Sequence, residues 1–370
     1  MKKIIIAFAL LFFANARAQT TDVTFLRELK DSIKFYFSGE FHSNTNYESR
    51  YELLMTLYAN NNVRVLILEA PKEFEFNLNR YITTADTDAY YVRQYHNYLR
   101  PVGRYQFDDY LKKIKAFNES LKDPTQKISI LCPDMNLFLS NALFKLDLIY
   151  SDGTTSDKDI LKYLKKAGRV GLFSNPHKNT NKKIKVALEL KYLLDTREQE
   201  WKDLYLQNFT QVKNAINALY RNAVAYQKYG IMSLPVREEI IYENIMDYYK
   251  QNPNVSYYGN FGQLHTLLNC DPSRVVHNNY FFASSMANEL NKTPELENKV
   301  CTMPYYYLTE NKTVMIGNLE VESMDFLTPD EKEKYKQQFD ADGKRIYVPI
   351  TKLQKADELN YMFDYLIILR

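Results

Sequence analysis

The feature that most constrains the fold is an uninterrupted apolar run at residues 63–68, which ends in Glu69 and is stopped by Pro71. A helical pattern at residues 46–59 precedes this run, and another apolar run at residues 33–37 precedes the helix. Strand, helix and strand in this order form a β-α-β unit, which demands a parallel pair and a right-handed crossover. The sequence therefore predicts an α/β fold.

The remainder of the chain extends this pattern. Residues 127–131 and 255–258 read as further buried strands, and more strand candidates follow towards the C-terminus. Residues 156–250 show long helical patterns and few strand signals. Helices between strands predict a parallel or mixed central sheet flanked by helices. The predicted organisation is a signal peptide at 1–18, the first part of an α/β catalytic domain at 19–155, a helical insertion at 156–250 and the second part of the domain at 251–370.

The first eighteen residues have the pattern of a cleavable secretory signal peptide. Lys2 and Lys3 precede an apolar core at residues 4–13, and small residues lead to a predicted cut after Ala18. This core is shorter than the roughly 20 residues that a membrane-spanning helix needs. We expect a secreted or periplasmic protein with no integral membrane segment after cleavage.

Composition narrows the functional classes. The formal net charge is +3, and loss of the three basic leader residues would bring it to zero, so nothing predicts nucleic-acid binding. Cys132, Cys270 and Cys301 lack the Cys-x-x-Cys spacing of a zinc ribbon and do not indicate a disulfide framework. The absence of Gly-x-Ser-x-Gly, His-Glu-x-x-His and P-loop motifs disfavours serine esterases, zincins and nucleotide-binding proteins. Nothing in the sequence indicates an oligomeric state.

Histidines and carboxylates follow the predicted strands. A glycine stands three residues before His42 and again before His265, each time after a strand-like run. Glu40 lies two residues before His42, and Glu69 ends the second strand, where its ordinary alternative is to cap the next helix. Ligands bind beyond the carboxyl ends of the strands in open α/β sheets. These four side chains therefore predict one shared site.

The residue types of this site suit hydrolysis. A neutral imidazole can take a proton from water at ordinary pH, which makes His42 the predicted base. Glu40 or Glu69 would orient that imidazole, and His265 would hydrogen-bond or protonate the leaving oxygen. Arg50, on the inner face of the first helix, would stabilise a developing oxyanion.

Three more polar residues are predicted to bind at the same site. Asp134 follows the third strand, and its ordinary alternative is a turn or cap residue. Arg237 and Asn244 share one face of the last helix of the insertion. The ordinary alternative for Arg237 is a solvated pair with Glu238 or Glu243.

Five short motifs stand in a fixed order: Gly39-Glu40-Phe41-His42, Leu66-Ile67-Leu68-Glu69-Ala70, residues 128–134, residues 237–244 and Gly262-Gln263-Leu264-His265. Together they resemble the erythromycin-esterase-like family, with its EreA/ChaN-like hydrolase fold, and more distantly the TraB/Tiki hydrolases. The resemblance implies an α/β fold with a helical insertion and a water-activating histidine at His42. The chain departs from the family in having one residue between its first Glu and His, and in a Gly-x-x-His second motif of TraB/Tiki form.

The leading prediction is a secreted hydrolase that cleaves an ester or lactone-like bond in a small molecule by histidine-activated water and requires no cofactor. The resemblance to Tiki proteins implies an alternative, a divalent-metal-dependent peptide hydrolase, with His42, His265 and Glu69 as candidate metal ligands. A second alternative is a non-catalytic protein of the same fold that binds a small ligand or haem.

Overall fold

The computed structural model describes residues 32–40, 46–84, 104–135, 158–173, 180–229, 234–268, 284–308, 313–316, 319–322, 326–342, 345–359 and 362–369. The predicted signal peptide and the predicted base His42 lie outside these residues.

A seven-stranded sheet lies at the centre of the fold. The described strands, seven of which form this sheet, are β1 (Phe35–Glu40), β2 (Val63–Leu68), β3 (Ser129–Leu131), β4 (Ser256–Gly262), β5 (Val300–Tyr307), β6 (Thr313–Ile316), β7 (Leu319–Glu322), β8 (Arg345–Pro349) and β9 (Tyr365–Leu369). Their order in the main sheet is β3-β2-β4-β1-β5-β9-β8, and β6 pairs with β7 separately. All neighbours in the main sheet are parallel except β8 and β9. The predicted α/β fold with a mixed sheet is confirmed.

The helices are α1 (Tyr47–Asn61), α2 (Glu75–Thr83), α3 (Arg104–Ser120), α4 (Lys158–Phe173), α5 (Thr180–Thr196), α6 (Glu198–Tyr205), α7 (Phe209–Tyr229), α8 (Leu234–Gln251), α9 (Met286–Lys292), α10 (Pro329–Asp342) and α11 (Ala356–Leu359). The described elements from residue 158 to residue 251 are all helical, and α4 to α7 share an apolar core that Met135 and Ile240 of α8 complete. The division into domains stays a prediction. Among the described helices, none has the length and apolar character needed to cross a bilayer.

The central β-α-β unit differs from the simplest reading of the sequence. Strands β1 and β2 are parallel, but β4 lies between them, since both Phe37 and Ile67 have Gly259 as their register partner. Gly259 leaves space for the neighbouring aromatic ring, because a Cβ atom there would lie 2.6 Å from Cδ1 of Phe37. The centre of the sheet is therefore completed by a strand that follows β2 by almost two hundred residues.

The sheet is buried on both faces, as parallel sheets generally are. Side chains alternate along each strand, so Tyr36 packs into a core with α1, α2 and α3, whereas Phe37 packs into a core with α8 and α9. Each large apolar side chain buried in this way contributes roughly 1.5–3 kcal/mol. Three described helices therefore cover one face, and α8 and α9 cover the other.

Two asparagines complete the edge of the sheet at β3. Asn79 of α2 donates to the backbone carbonyl of Ile130 and accepts from its amide, both at 2.7 Å. Asn118 of α3 makes the same pair of bonds to Ile128, at 2.9 Å and 2.8 Å. An unpaired edge strand can pair with other chains. These amides satisfy the outer backbone groups of β3 and fix α2 and α3 beside it.

Candidate active site

Three predicted site residues meet at the carboxyl rim of the sheet. Glu69 directly follows β2, Asp134 lies three residues after β3, and His265 lies in the turn Gln263–Thr266 after β4. Asp134 is held in place by its own amide, which donates to the carbonyl of Ala70 at 3.0 Å. Parallel strands end at the same edge of a sheet, so three distant segments present polar side chains to one place.

Arg237, in the first turns of α8, joins these residues. Its Nε and Nη2 donate to the two carboxylate oxygens of Asp134 at 2.9 Å and 2.6 Å, and Nη2 also donates to Glu69 Oε1 at 2.5 Å. Its Nη1 lies 3.2 Å from Nε2 of His265. A bidentate arginine–carboxylate pair is both strong and directional. Arg237 thus pairs across the fold and not with a neighbour on its own helix.

Glu238 completes the group, although a glutamate beside an arginine on a helix is usually a solvated residue. Its Oε1 contacts Nδ1 of His265, and its Oε2 accepts from the amide of Met286 at 2.7 Å. The side chain is 3 % exposed, which a carboxylate tolerates only when it is paired. We call Glu69, Asp134, Arg237, Glu238 and His265 the rim cluster.

The rim cluster favours a protonated histidine. Burial lowers the pKa of His265, but the negative charges of Glu238 and Glu69 raise this pKa by more than burial lowers it, and the resulting value is about 10. Both ring nitrogens then carry hydrogen, with Nδ1 directed to Glu238 and Nε2 lying 3.4 Å from Glu69 Oε1. At neutral pH this side chain can donate a proton or a hydrogen bond, but it is a poor base.

The turn that carries His265 lies close against β1. The sequence predicts that β1 ends before Gly39, but the strand continues through it to Glu40. A Cβ atom at Gly39 would lie 2.6 Å from Thr266 Oγ1 and 3.2 Å from the Cα of Gln263. Glycine is needed here because the Thr266 side chain, and to a lesser extent the Gln263 backbone, approaches the strand too closely for a Cβ atom.

Glu69 is fixed from its other side by the end of β4. Its Oε2 accepts from the backbone amide of Gly262 at 2.6 Å, while Oε1 accepts from Arg237. Both oxygens are therefore committed, and the carboxylate orientation is set by two elements. Glu69 and Arg237 are 14 % and 13 % exposed, so this side of the rim cluster is accessible to solvent.

Asn244 contacts the backbone next to the rim cluster. As the helical spacing predicts, it lies on the same side of α8 as Arg237, and its Nδ2 donates to the carbonyl of Pro133 at 2.6 Å. The side chain thereby positions the segment that carries Asp134. Its described contacts are with the protein itself, and its predicted role in ligand binding stays a prediction.

Glu40 and Arg50 form a second polar group. Glu40 is the last residue of β1, and alternation along the strand directs it to the α1 face, where it pairs with Arg50 of α1. Arg50 also donates to Asn46, and its guanidinium lies 4.5 Å from the ring centre of Tyr47. Burial lowers the pKa of Arg50, although neighbouring tyrosines oppose this.

The two groups belong to the same rim but to opposite faces of the sheet. Glu40 has Gly262 as its register partner, and the amide of Gly262 binds Glu69 in the rim cluster. The segment at residues 41–45, which contains His42, connects Glu40 to Asn46 and lies outside the described residues. The predicted meeting of His42 with His265 stays a prediction, whereas that of Glu69 with His265 is observed.

The described residues do not fit a divalent metal ion. Both oxygens of Asp134 and one oxygen of Glu69 accept from Arg237, whose guanidinium also lies beside Nε2 of His265. A metal ion bound by these atoms would have to lie against a permanent positive charge. Within the described ranges, no three His, Cys, Asp or Glu side chains are arranged to hold a metal ion. A metal site that includes His42 stays a prediction.

Three solved structures share this architecture over nearly the whole chain. A histidine-to-asparagine mutant of erythromycin esterase EreC, in its open conformation, superposes with a TM-score of 0.60 at 14% identity, over 93% of this chain and 92% of that one. A succinoglycan biosynthesis protein gives 0.62 at 13% identity, over 95% and 91%. A Bacillus cereus protein gives 0.60 at 12% identity, over 95% and 92%.

No protein-family model and no curated protein matches the sequence. At such low identity the structural likeness defines the fold. The resemblance seen in the sequence is confirmed at this level: the chain has the fold of the erythromycin esterase EreC.

Proposed function

We propose that this protein is a secreted hydrolase of the erythromycin-esterase-like type, which cleaves an ester or lactone bond of a small molecule with histidine-activated water. The observation that carries the proposal is the buried His265 at the carboxyl rim, with charged partners at both ring nitrogens. The fold shared with EreC, which is named as an erythromycin esterase, supports the reaction class.

His265 is suited to protonate the leaving oxygen. Its Nε2 lies 3.4 Å from Glu69 Oε1 and 3.2 Å from Arg237 Nη1, which are an acceptor and a donor. With its proton, Nε2 can donate towards Glu69; without it, the nitrogen lone pair can accept from Arg237. Each protonation state thus has a partner already in place, so the proton transfer requires little rearrangement of the site.

His42 is the proposed base that takes the proton from water. Glu40, two residues earlier, would orient the imidazole and stabilise its cation. Because Arg50 is bound to Glu40 and buried, we assign it the task of holding that carboxylate ionised and in place. We propose this role for Arg50 in place of the predicted one, in which Arg50 would stabilise a developing oxyanion directly.

The proposal is tested by replacing each histidine in turn and measuring hydrolysis of a panel of esters and lactones. His42→Ala and His265→Gln are each expected to lower kcat by roughly 10²–10⁴-fold, the usual contribution of general acid–base catalysis. His177→Ala, at a histidine for which the sequence suggests no catalytic role, is the matched control and should retain full turnover. Unchanged hydrolysis in His42→Ala would rule out the mechanism.

A chelator separates this mechanism from the metal-dependent alternative. We expect the rate on the same panel to be unchanged after prolonged chelation, because both carboxylate oxygens of Asp134 and one of Glu69 already accept hydrogen bonds from Arg237. A loss of activity that added divalent metal restores would favour the alternative.

A further inference from the structure

Glu238 has both carboxylate oxygens engaged inside the protein. One contacts Nδ1 of His265, and the other accepts from the backbone amide of Met286 at 2.7 Å. Removing a carboxylate from water is costly unless charged or hydrogen-bonding partners replace the water. A surface glutamate would have no need of such partners, so the burial of Glu238 points to a specific task.

The neighbouring residue on the same helix approaches the other ring nitrogen. Arg237 Nη1 lies 3.2 Å from Nε2 of His265, on the opposite side of the ring from Glu238. Consecutive residues of a helix point about 100° apart, so one turn of α8 can reach both sides of a ring. The imidazole is thus held by two adjacent side chains of a single element.

The second oxygen of Glu238 connects this contact to the rest of the fold. Met286 begins α9, and the preceding residue, Ser285, caps that helix and donates to the carbonyl of Leu267. Leu267 directly follows the turn that carries His265. Glu238 therefore lies where α8, the start of α9 and the histidine turn meet, and its orientation is fixed independently of the histidine.

We propose that Glu238 is a positioning residue of the active site, which keeps a proton on Nδ1 of His265 and leaves Nε2 as the nitrogen that acts on substrate. This inference rests on the proposed function for its catalytic consequence only. The state of Nδ1 is a property of the protein itself and can be measured without a substrate.

The decisive experiment compares Glu238→Gln with Glu239→Gln, an exposed glutamate one position later on α8. Glutamine keeps the size of the side chain and an oxygen for the Met286 amide, but it removes the charge that faces Nδ1. In full-length protein labelled with ¹⁵N-histidine, the wild type and Glu239→Gln should show a downfield, slowly exchanging Nδ1 proton, assigned with His265→Gln. Glu238→Gln should lose this signal.

With an ester that the wild type hydrolyses, Glu238→Gln is expected to lower kcat by about 10–100-fold and to change KM by less than about twofold. Losses of this size are typical when a residue that hydrogen-bonds to a functional side chain is replaced. Glu239→Gln should match the wild type. A purely structural role would instead lower the melting temperature and leave the kcat of the folded fraction unchanged, and that result would overturn the proposal.

Glu238→Asp provides an independent variant if the glutamine variant does not fold. It retains the charge but withdraws the acceptor from Nδ1 by one methylene, so the folded protein should show a weakened Nδ1 signal. Persistence of the unaltered signal in either folded variant, or its absence from the wild type, would contradict the proposal. If no ester or lactone is hydrolysed by the wild type, the proposed function fails, while the spectra still decide the role of Glu238.

Discussion

At the scale of single residues, Arg237 provides the permanent positive charge that pairs with the carboxylates of Glu69 and Asp134 in the rim cluster. Asp134 is 1 % exposed, and both of its carboxylate oxygens accept from this guanidinium, while Oδ1 also accepts from the amide of Met135 at 2.7 Å. Removing one partner of a buried ion pair leaves the other charged and unsolvated, at a cost of roughly 3–5 kcal/mol. We therefore expect Arg237→Ala to lower the free energy of unfolding by about this amount, measured by urea titration.

Arg197→Ala is the matched control, because Arg197 pairs with the exposed Asp159 and is itself 38 % exposed. Exposed pairs contribute about 1 kcal/mol or less, so this variant should be nearly as stable as the wild type. The double variant Arg237→Ala with Asp134→Asn should recover part of the loss, since the uncompensated charge is gone. Equal stability of the two single alanine variants would contradict this account of Arg237.

The sequence was informative for residues placed by strand ends and not for those placed by tertiary contacts. Glu69, Asp134 and His265 could be predicted to share a site because each follows a strand of a parallel sheet. Glu238 could not, because a glutamate beside an arginine on a helix is usually a solvated residue. Its burial depends on the histidine turn and on the start of α9, and neither contact can be read from local pattern.

At the scale of elements, the turn Gln263–Thr266, which carries His265, can pack closely against β1 because Gly39 has no side chain. Gly39→Ala would bring a Cβ atom to 2.6 Å from Thr266 Oγ1 and 3.2 Å from the Cα of Gln263, so the turn must move. We expect a loss of roughly 1–3 kcal/mol in unfolding free energy, typical of overpacking, together with reduced esterase activity. Urea titration and the ester assay measure the two effects.

Gly39→Ala combined with Thr266→Ala tests the cause of that loss. Removing Oγ1 relieves the shorter contact, so the double variant should be more stable than Gly39→Ala alone, although the backbone contact to Gln263 persists. No recovery would mean that strain at Thr266 is not what destabilises the single variant.

Local patterns predicted several elements well. Strand β2 has the bounds of the apolar run at residues 63–68, and α1 agrees with the helical pattern at residues 46–59 to within two residues at each end. Strands β1 and β4 extend further than predicted, because the apolar runs end at Phe37 and Tyr258, whereas the strands continue to Glu40 and Gly262. In the fold, Gly39 provides space for a neighbouring turn. That need arises from packing between distant segments, which a local pattern does not contain.

At the scale of the whole molecule, the titration of Asp364 is expected to make the free energy of unfolding depend on pH. It joins the start of β9 to β5, since its Oδ2 accepts from the amide of Thr302 at 2.8 Å and its own amide donates to the Thr302 carbonyl at 3.1 Å. Burial raises the pKa of Asp364 from 3.8 to about 6, although the Thr302 amide opposes the shift. Between these values the folded chain binds the proton more tightly than the unfolded chain.

The free energy of unfolding should therefore decrease as pH rises through this window, by at most about 3 kcal/mol from this group. Asp364→Asn has no charge at any pH and should flatten that dependence, while Asp357→Asn, at an exposed position, should leave it unchanged. Urea titrations across the window compare the three proteins. The same slope in Asp364→Asn and wild type would show that Asp364 does not titrate between these values.

The position of β4 between β1 and β2 also has a consequence for biosynthesis. A nascent chain that has not yet reached Ser256 contains both flanking strands but lacks the one that bridges them. Two apolar strand edges then stay open for pairing with other chains, and sheets completed by such distant contacts form slowly. Truncation before this strand should yield an aggregating fragment, so the chain acquires its central architecture only after most of it has been synthesised.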